Sequence, residues 1–151
     1  MAIVVEFSPD TYDDLFKDVL SNHPTILSSL RDDFCTYIAS NRMTLPMYFG
    51  CDVPYLYPHE AYVNGLMHIH IAIPPLKFSS NKPQHDRKCP GHPTKQGDPA
   101  KDAALVYAQG LYDEDRYILI AMLHPGAHGK AQDDKIMKRL AGVAKSFRDK
   151  Y

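Results

Sequence analysis

Two histidines alternate with apolar residues over positions 66–72, and this pattern constrains the fold more than any other part of the chain. In a β-strand, successive side chains point to opposite faces of the sheet. His68 and His70 therefore share one face, and the other face carries only apolar side chains, namely Met67, Ile69, Ile71 and Ile73. Imidazole is the side chain most easily tuned to exchange a proton near pH 7. The segment thus predicts a strand with one core face and one face that is either reactive or merely polar.

Apolar periodicity predicts the elements around this strand. Residues 1–7 suggest a first strand, and Ser8-Pro9 suggests a helix start, because serine caps helices and proline suits the first helical position. His23-Pro24 separates that helix from a second one. The remaining predicted elements are strands at 66–73, 104–111 and 116–124, with a hairpin turn at 112–115 and an amphipathic helix at 131–149.

The order β-α-α-β-β-β-α predicts the fold class. We expect an α+β domain in which an N-terminal helical hairpin and a C-terminal helix pack on an antiparallel sheet. One sheet face would carry the helices and the other would stay partly open. A chain of 151 residues suits a single domain spanning 1–151.

Two connecting segments lack clear periodicity. Residues 44–65 are predicted as a turn-rich connector whose tyrosines either cover the domain edge or stack on nucleobases; these are Tyr55, Tyr57 and Tyr62. Residues 74–102 hold six of the twelve prolines and are predicted as a loop insertion. Within that loop, His85, Cys89 and His92 have a spacing that zinc accepts. A structural zinc site normally needs four ligands, so we expect no metal.

Composition limits the cellular compartment and the partners that we expect for this chain. No apolar run approaches the roughly 20 residues of a membrane span, and the N-terminus lacks the features of a signal peptide. Three cysteines, Cys35, Cys51 and Cys89, form no pairing pattern and suggest free thiols in a reducing cytoplasm. We therefore expect a cytoplasmic protein with no membrane partner.

The net charge of −1 conceals an uneven distribution. Residues 1–60 carry 3 basic and 9 acidic side chains, whereas residues 124–151 carry 7 basic and 3 acidic ones. The basic C-terminal quarter is either a solvated helix face or a local anion-binding surface.

An ordered set of short motifs runs from about Phe34 to Tyr151. They are Leu45-Pro46, Phe49-Gly50, His68-x-His70, Val106-Tyr107-x-Gln109-Gly110, Asp113-Glu114, Pro125, His128 and Phe147-Arg148. In this order they resemble the YafO family of bacterial toxins from type II toxin–antitoxin systems. No single motif is diagnostic, and the resemblance rests on the collinear set.

The resemblance implies an mRNA interferase that cuts mRNA on the translating ribosome and is silenced by a cognate antitoxin. It also implies similarity to the RelE/ParE superfamily, whose twisted antiparallel sheet packs on a helical hairpin and whose nucleases use the open sheet face. The expected partners are the antitoxin, the ribosome and mRNA, and no cofactor is expected. A nearly neutral chain fits this mode, because the ribosome holds the RNA for it.

Metal-independent RNA cleavage uses the 2′-hydroxyl as the nucleophile on the adjacent phosphorus. A base must take the 2′ proton, an acid must protonate the 5′ oxygen, and cations must stabilise the phosphorane. The predicted catalytic residues are His68, His70 and His128. The predicted RNA and phosphate contacts are Lys130, Arg148, Tyr107 and Tyr151, the two tyrosines stacking on a base or orienting the 2′-hydroxyl.

Two alternatives use the same scaffold. A ParE-like toxin would act without cutting RNA and would need no titratable site. A protein-interaction module would use the sheet face to bind a partner strand or helix.

Overall fold

The computed structural model describes residues 2–88 and 101–151. Its strands are β1 (Val4–Phe7), β2 (Phe49–Pro54), β3 (Met67–Ile71), β4 (Ala104–Gln109) and β5 (Arg116–Leu123). Its α-helices are α1 (Tyr12–Leu15), α2 (Lys17–Asn22), α3 (Pro24–Leu27), α4 (Leu30–Ala39), α5 (His59–Val63), α6 (Ala127–Ala131) and α7 (Asp134–Lys150). A 3₁₀ turn covers Gln84–Asp86.

The five strands form one mixed sheet in the order β1-β5-β4-β3-β2. Strands β2 to β5 are antiparallel to their neighbours, but β1 runs parallel to β5, with Val4 opposite Arg116. The predicted α+β class is confirmed, whereas the prediction of a fully antiparallel sheet is wrong. Side-chain alternation reveals which residues share a face, but it carries no information about the direction of a neighbouring strand.

Helices cover both faces of the sheet, so the expectation of helices on one face alone is wrong. On the first face, residues of α1–α4 pack on the apolar side of the strands; the buried members include Phe16, Leu30, Phe34, Ile69, Ile71, Leu105 and Leu119. On the second face, α5, α6 and α7 pack on the other side, with Ala104, Val106, Ile118, Leu140, Ala144 and Phe147 buried among them. Within the described residues, α7 covers the histidine face at β4 and β5, and a pocket remains beside β3.

The predicted helical hairpin is present as four short helices and not two continuous ones. The first begins at Tyr12 with Thr11 as its N-cap, three residues later than Pro9. Breaks at Phe16 and at Ser28-Ser29 divide the two predicted helices. Two consecutive serines have a weaker helix propensity than alanine or leucine, which favours the second break.

Residues 44–65, for which the sequence predicts an irregular connector, contain a strand and a short helix. Strand β2 was missed because Gly50 and Pro54 weaken its strand pattern and because its register with β3 shifts between Phe49 and Asp52. Helix α5 has only five residues, too few for a periodic signal.

The first part of the predicted loop insertion packs against the edge of β2. The Arg87 side chain is buried and donates from Nε to the Lys82 carbonyl at 2.9 Å and from Nη1 to the Phe49 carbonyl at 3.3 Å. The backbone N–H of Cys51 donates to the Arg87 carbonyl at 2.8 Å. The remainder, including Cys89 and His92 of the considered zinc spacing, lies outside the described residues.

The C-terminal region begins differently from the prediction. The basic turn after β5 is the short helix α6, which follows Gly126 in the left-handed conformation (φ +73°). Helix α7 starts at Asp134, and the Asp133 carboxylate caps it by accepting from the N–H groups of Lys135 and Ile136. In the described part of the chain, Cys35 and Cys51 are free thiols, and no helix is long and apolar enough to cross a bilayer.

Candidate active site

Strand β3 presents its two histidines on the second face, as its alternation predicts. His68 lies opposite Val106 and His70 opposite Ala104 in the ladder with β4. Their ring centroids are 5.3 Å apart. His128 of α6 lies beyond His70, with 5.9 Å between those two ring centroids. The structure thus brings the three predicted catalytic histidines into one cluster from two distant parts of the sequence.

The cluster lines an open pocket of about 260 Å³. The floor is formed by β3 and β4, one wall by residues 54–57 and the opposite wall by α6 and the residue after it. The lining residues are Pro54, Tyr55, Leu56, Tyr57, His68, His70, Asp102, Ala104, Ala127, His128, Ala131 and Gln132. Two of the tyrosines of the predicted connector therefore belong to the pocket.

Asp102 holds His128 in one orientation. Its Oδ2 accepts from the backbone N–H of His128 at 2.6 Å and lies 2.7 Å from Nδ1 of the same residue. A carboxylate only accepts, so Nδ1 carries the proton and Nε2 is the nitrogen left for chemistry. The Asp102 carboxylate is 6% exposed and the His128 side chain 67% exposed. Sequence reasoning missed Asp102, which appeared only as the last residue of the predicted loop.

His68 and His70 are neutral imidazoles at physiological pH. Burial lowers the pKa of the His68 imidazole to about 3, and repulsion by His70 and His128 contributes to the decrease. Burial likewise lowers the pKa of His70 to about 4, with further repulsion from His128. His68 is also covered by Tyr55, whose ring stacks on it at 3.9 Å between centroids and an interplanar angle of 14°. Both strand histidines thus start without charge, which departs from the near-neutral pKa values expected from the sequence.

Unpaired polar atoms converge in this pocket. Among the described residues, five buried side-chain nitrogen or oxygen atoms have no hydrogen-bond partner. Three of them belong to residues that line the pocket: Nδ1 of His68, Nδ1 of His70 and Oδ1 of Asp102. Buried polar groups in proteins are nearly always paired, so three unpaired atoms around one pocket distinguish it from the rest of the described fold.

Lys88 adds positive charge in the neighbourhood of the histidines. Its charge lowers the pKa of His70, less than burial and His128 do, and its side chain does not line the pocket. Lys88 is exposed and forms no ion pair with another described residue. Sequence reasoning missed Lys88, because it belongs to the segment predicted as a loop insertion.

The cations predicted from the sequence lie outside the pocket. Lys130 is two residues after His128 on α6, so its side chain leaves the helix on another side and lines a second pocket with His124 and Arg139. The Arg148 guanidinium lies against Gly65, ahead of β3. Neither side chain pairs with a carboxylate among the described residues.

Tyr107 and Tyr151 do not reach the histidines. Tyr107 neighbours Val106 in β4 and therefore points to the first face, where it is 1% exposed. Its hydroxyl donates to Oδ1 of Asp52 at 2.6 Å, and Tyr37 donates to Oδ2 at 2.7 Å. Tyr151 lies by the turn between β4 and β5, with the Arg116 guanidinium 4.3 Å from its ring centroid. Both tyrosine side chains thus make contacts within the fold, away from the histidines.

The basic C-terminal quarter is partly neutralised within the fold. Arg139 donates to the Asp14 carboxylate at 2.6 Å, and Lys145 pairs with Asp149 at 2.7 Å. No group of three or more histidine, cysteine, aspartate or glutamate side chains in the described ranges has a metal-binding arrangement.

Comparison with known proteins assigns the chain to a family. The sequence profile of a family described as toxin YafO, type II toxin–antitoxin system, matches residues 35–149. The mRNA interferase toxin YafO of Escherichia coli (strain K12) is 30% identical over 129 residues, which span 83% of this chain and 87% of the relative. No solved structure matches the chain.

Proposed function

The chain belongs to the YafO family of toxins from type II toxin–antitoxin systems, and on this premise we propose that it is an mRNA interferase that cuts mRNA on the translating ribosome. The reaction is a metal-independent attack of a 2′-hydroxyl on the adjacent phosphorus, and it takes place in the histidine pocket. The observation that carries this proposal is the convergence of His70 and the Asp102-oriented His128 in one pocket.

His128 is the residue best placed to exchange a proton with substrate. Its Nε2 is the free nitrogen, and the Asp102 carboxylate stabilises the imidazolium that forms when Nε2 takes a proton. In the forward reaction a base removes the 2′ proton, the 2′ oxygen bonds to phosphorus, and the bond from phosphorus to the 5′ oxygen breaks. An acid supplies the proton that the departing 5′ oxygen needs.

His70 is the second proton-transfer group. Its low pKa arises from burial and from repulsion by neighbouring positive charge, and a phosphate anion in the pocket opposes both effects. Binding of the substrate thus raises the pKa of His70 toward the range in which it carries a proton. The ring centroids of His70 and His128 lie 5.9 Å apart, so the two residues share the acid and base roles.

His68 supports the pair from the back of the pocket. Its ring is packed between Tyr55 and His70. Of the two strand imidazoles, His68 has the lower pKa. Its Nδ1 is buried and has no hydrogen-bond partner among the described residues, so we propose that His68 acts by packing against His70.

Cations complete the site. Lys88, whose charge acts on His70, supplies positive charge for the phosphorane. Lys130 and Arg148, which lie outside the pocket, contact phosphates farther along the mRNA. We propose no RNA contact for Tyr107 or Tyr151, since both are occupied within the fold.

The near-neutral chain suits an enzyme that acts on the ribosome. Free-standing RNA binding depends on clustered positive charge, and here part of the basic quarter is paired internally. The sheet between two helical layers is the scaffold that we propose to be RelE/ParE-like. Family membership implies a cognate antitoxin as the partner that silences the enzyme.

Mapping of mRNA 5′ ends in a translating extract tests the proposal. Wild-type protein should create new ends, and a translation inhibitor that clears ribosomes from the message should abolish them. His128→Ala should remove the new ends, whereas His85→Ala, a change at an exposed histidine outside the pocket, should leave them. Toxic protein that produces no cut mRNA would instead support a non-nucleolytic, ParE-like action.

A further inference from the structure

We propose that the mouth of the pocket is a nucleobase subsite, in which Tyr57 stacks on a base next to the scissile phosphate and Gln132 hydrogen-bonds the edge of that base. The inference rests on the proposed function and adds the part of the site that selects where the mRNA is cut.

Tyr57 has the properties of a stacking platform. It lines the pocket with 81% of its surface exposed, and its hydroxyl forms no hydrogen bond to another described residue. Tyr55, two residues earlier, differs: it is buried and already stacks on His68. The pocket thus contains one tyrosine that serves the histidines and one whose ring is free. An exposed aromatic ring beside a polar site is the usual platform for an unpaired base.

Gln132 lines the same pocket. It follows the last residue of α6, is exposed, and its side-chain amide bonds no described residue. A primary amide offers one acceptor and two donor hydrogens, which match the paired donor and acceptor of an adenine edge. A base that stacks on Tyr57 is therefore within the same pocket as a group that distinguishes one base edge from another.

The size of the pocket favours a single nucleotide. About 260 Å³ lies just below the roughly 300–1,000 Å³ of pockets that hold drug-sized ligands. The pocket is too small for paired RNA, whereas a single unstacked base and its phosphate fit its mixed lining. The apolar wall of Pro54, Leu56 and Tyr57 faces the base, and the histidine floor faces the phosphate.

The test compares cleavage rates and cut positions in the translating extract. Tyr57→Leu removes the ring and keeps apolar bulk, and we expect cleavage to fall about 5- to 150-fold, the usual loss for one stacked base. Tyr57→Phe, which keeps the ring, should restore cleavage. The matched control is Tyr112→Leu, since Tyr112 is 79% exposed and lies at the other end of β4 from His70; it should cut like wild type. Gln132→Ala should broaden the base preference at one position next to the cut.

Several outcomes would overturn the inference. Equal cleavage by Tyr57→Leu and wild type, with His128→Ala inactive, would remove the subsite and leave the proposed function intact. If Tyr57→Leu cuts normally but escapes neutralisation by the antitoxin, the surface is a contact for that protein. An unchanged cut-site profile in Gln132→Ala would exclude base reading by its amide. Absence of cleavage by wild type would contradict the proposed function itself.

Discussion

At the scale of single residues, the chemistry of the pocket depends on how His128 is held. Its ring is mostly exposed and would be mobile without the two hydrogen bonds that it makes to Asp102. In the proposed mechanism Asp102 is a positioning residue, because it acts on the substrate only through the imidazole. The sequence singled out His128 but not Asp102, since one aspartate at the end of a proline-rich segment carries no pattern.

Asp102→Asn should reduce cleavage by about 10²-fold or more, the usual effect of losing effective acid–base catalysis. The amide no longer stabilises a charged imidazole, so the pH profile of cleavage should also change shape. A variant that is only less stable would lower the amount of active enzyme without changing that profile. Cleavage rates in the extract across the neutral pH range measure both effects. An unchanged profile would show that Asp102 has only a structural role.

His70 should make the fold sensitive to acid. Its ordinary pKa is 6.5, and burial lowers it to about 4 in the folded protein. As pH falls below 6.5, the unfolded chain binds a proton that the folded chain refuses. Neutral His70 therefore costs the fold no stability above pH 6.5, and the folded state loses stability as the pH falls from 6.5 toward about 4. Between about pH 7.5 and about pH 5, protonation of this histidine in the unfolded chain lowers the free energy of unfolding by about 2 kcal/mol.

Urea unfolding at these two pH values tests this linkage. Wild-type protein should lose about 2 kcal/mol more stability on acidification than His70→Gln, because glutamine does not titrate. The exposed control His85→Gln should lose as much as wild type. Equal losses for wild type and His70→Gln would contradict the low pKa of His70.

At the scale of elements, the sequence predicted what depends on local alternation. The run around His68 and His70 predicted which side chains share a face, and the structure confirms this. The same logic places Tyr107 on the opposite face from the neighbouring Val106. The register of β3 and β4 is needed to show that Val106 shares the face of His68. Register, strand direction and short helices such as α6 depend on contacts far apart in sequence, so they were not predictable from local patterns.

Tyr107→Phe should separate a structural from an RNA-binding role for that residue. The substitution removes the hydrogen bond from its hydroxyl to Asp52, which is worth about 2 kcal/mol for a charged acceptor. Urea unfolding should show this loss, while cleavage in the extract should proceed as in wild type. A normal stability combined with lost cleavage would restore Tyr107 as an RNA contact.

At the scale of the whole molecule, part of the basic charge of the C-terminal quarter is neutralised by ion pairs within the fold. The Arg139–Asp14 pair connects the basic C-terminal helix to the acidic N-terminal region. The charge totals of the sequence indicated this asymmetry, but they did not show that part of it is cancelled within the fold. The proposed site therefore relies on few local groups, and we propose that the ribosome holds the RNA for it.

Cleavage should not depend on a divalent metal supplied to the enzyme. The proposed base and acid are both imidazoles, and the proposed positive charge comes from Lys88. Protein treated with a chelator and then freed of it should cut ribosome-bound mRNA at the untreated rate. Loss of cleavage that returns with one added metal ion would contradict this proposal.

The chemistry of the new RNA ends tests the central claim most directly. Attack by the 2′-hydroxyl leaves a 2′,3′-cyclic or 3′ phosphate on the upstream fragment and a 5′-hydroxyl on the downstream fragment. We predict these ends for mRNA cut by the wild-type protein on ribosomes, and their disappearance with His128→Ala. Upstream fragments with a 3′-hydroxyl and downstream fragments with a 5′-phosphate would contradict the account, because water would then be the nucleophile.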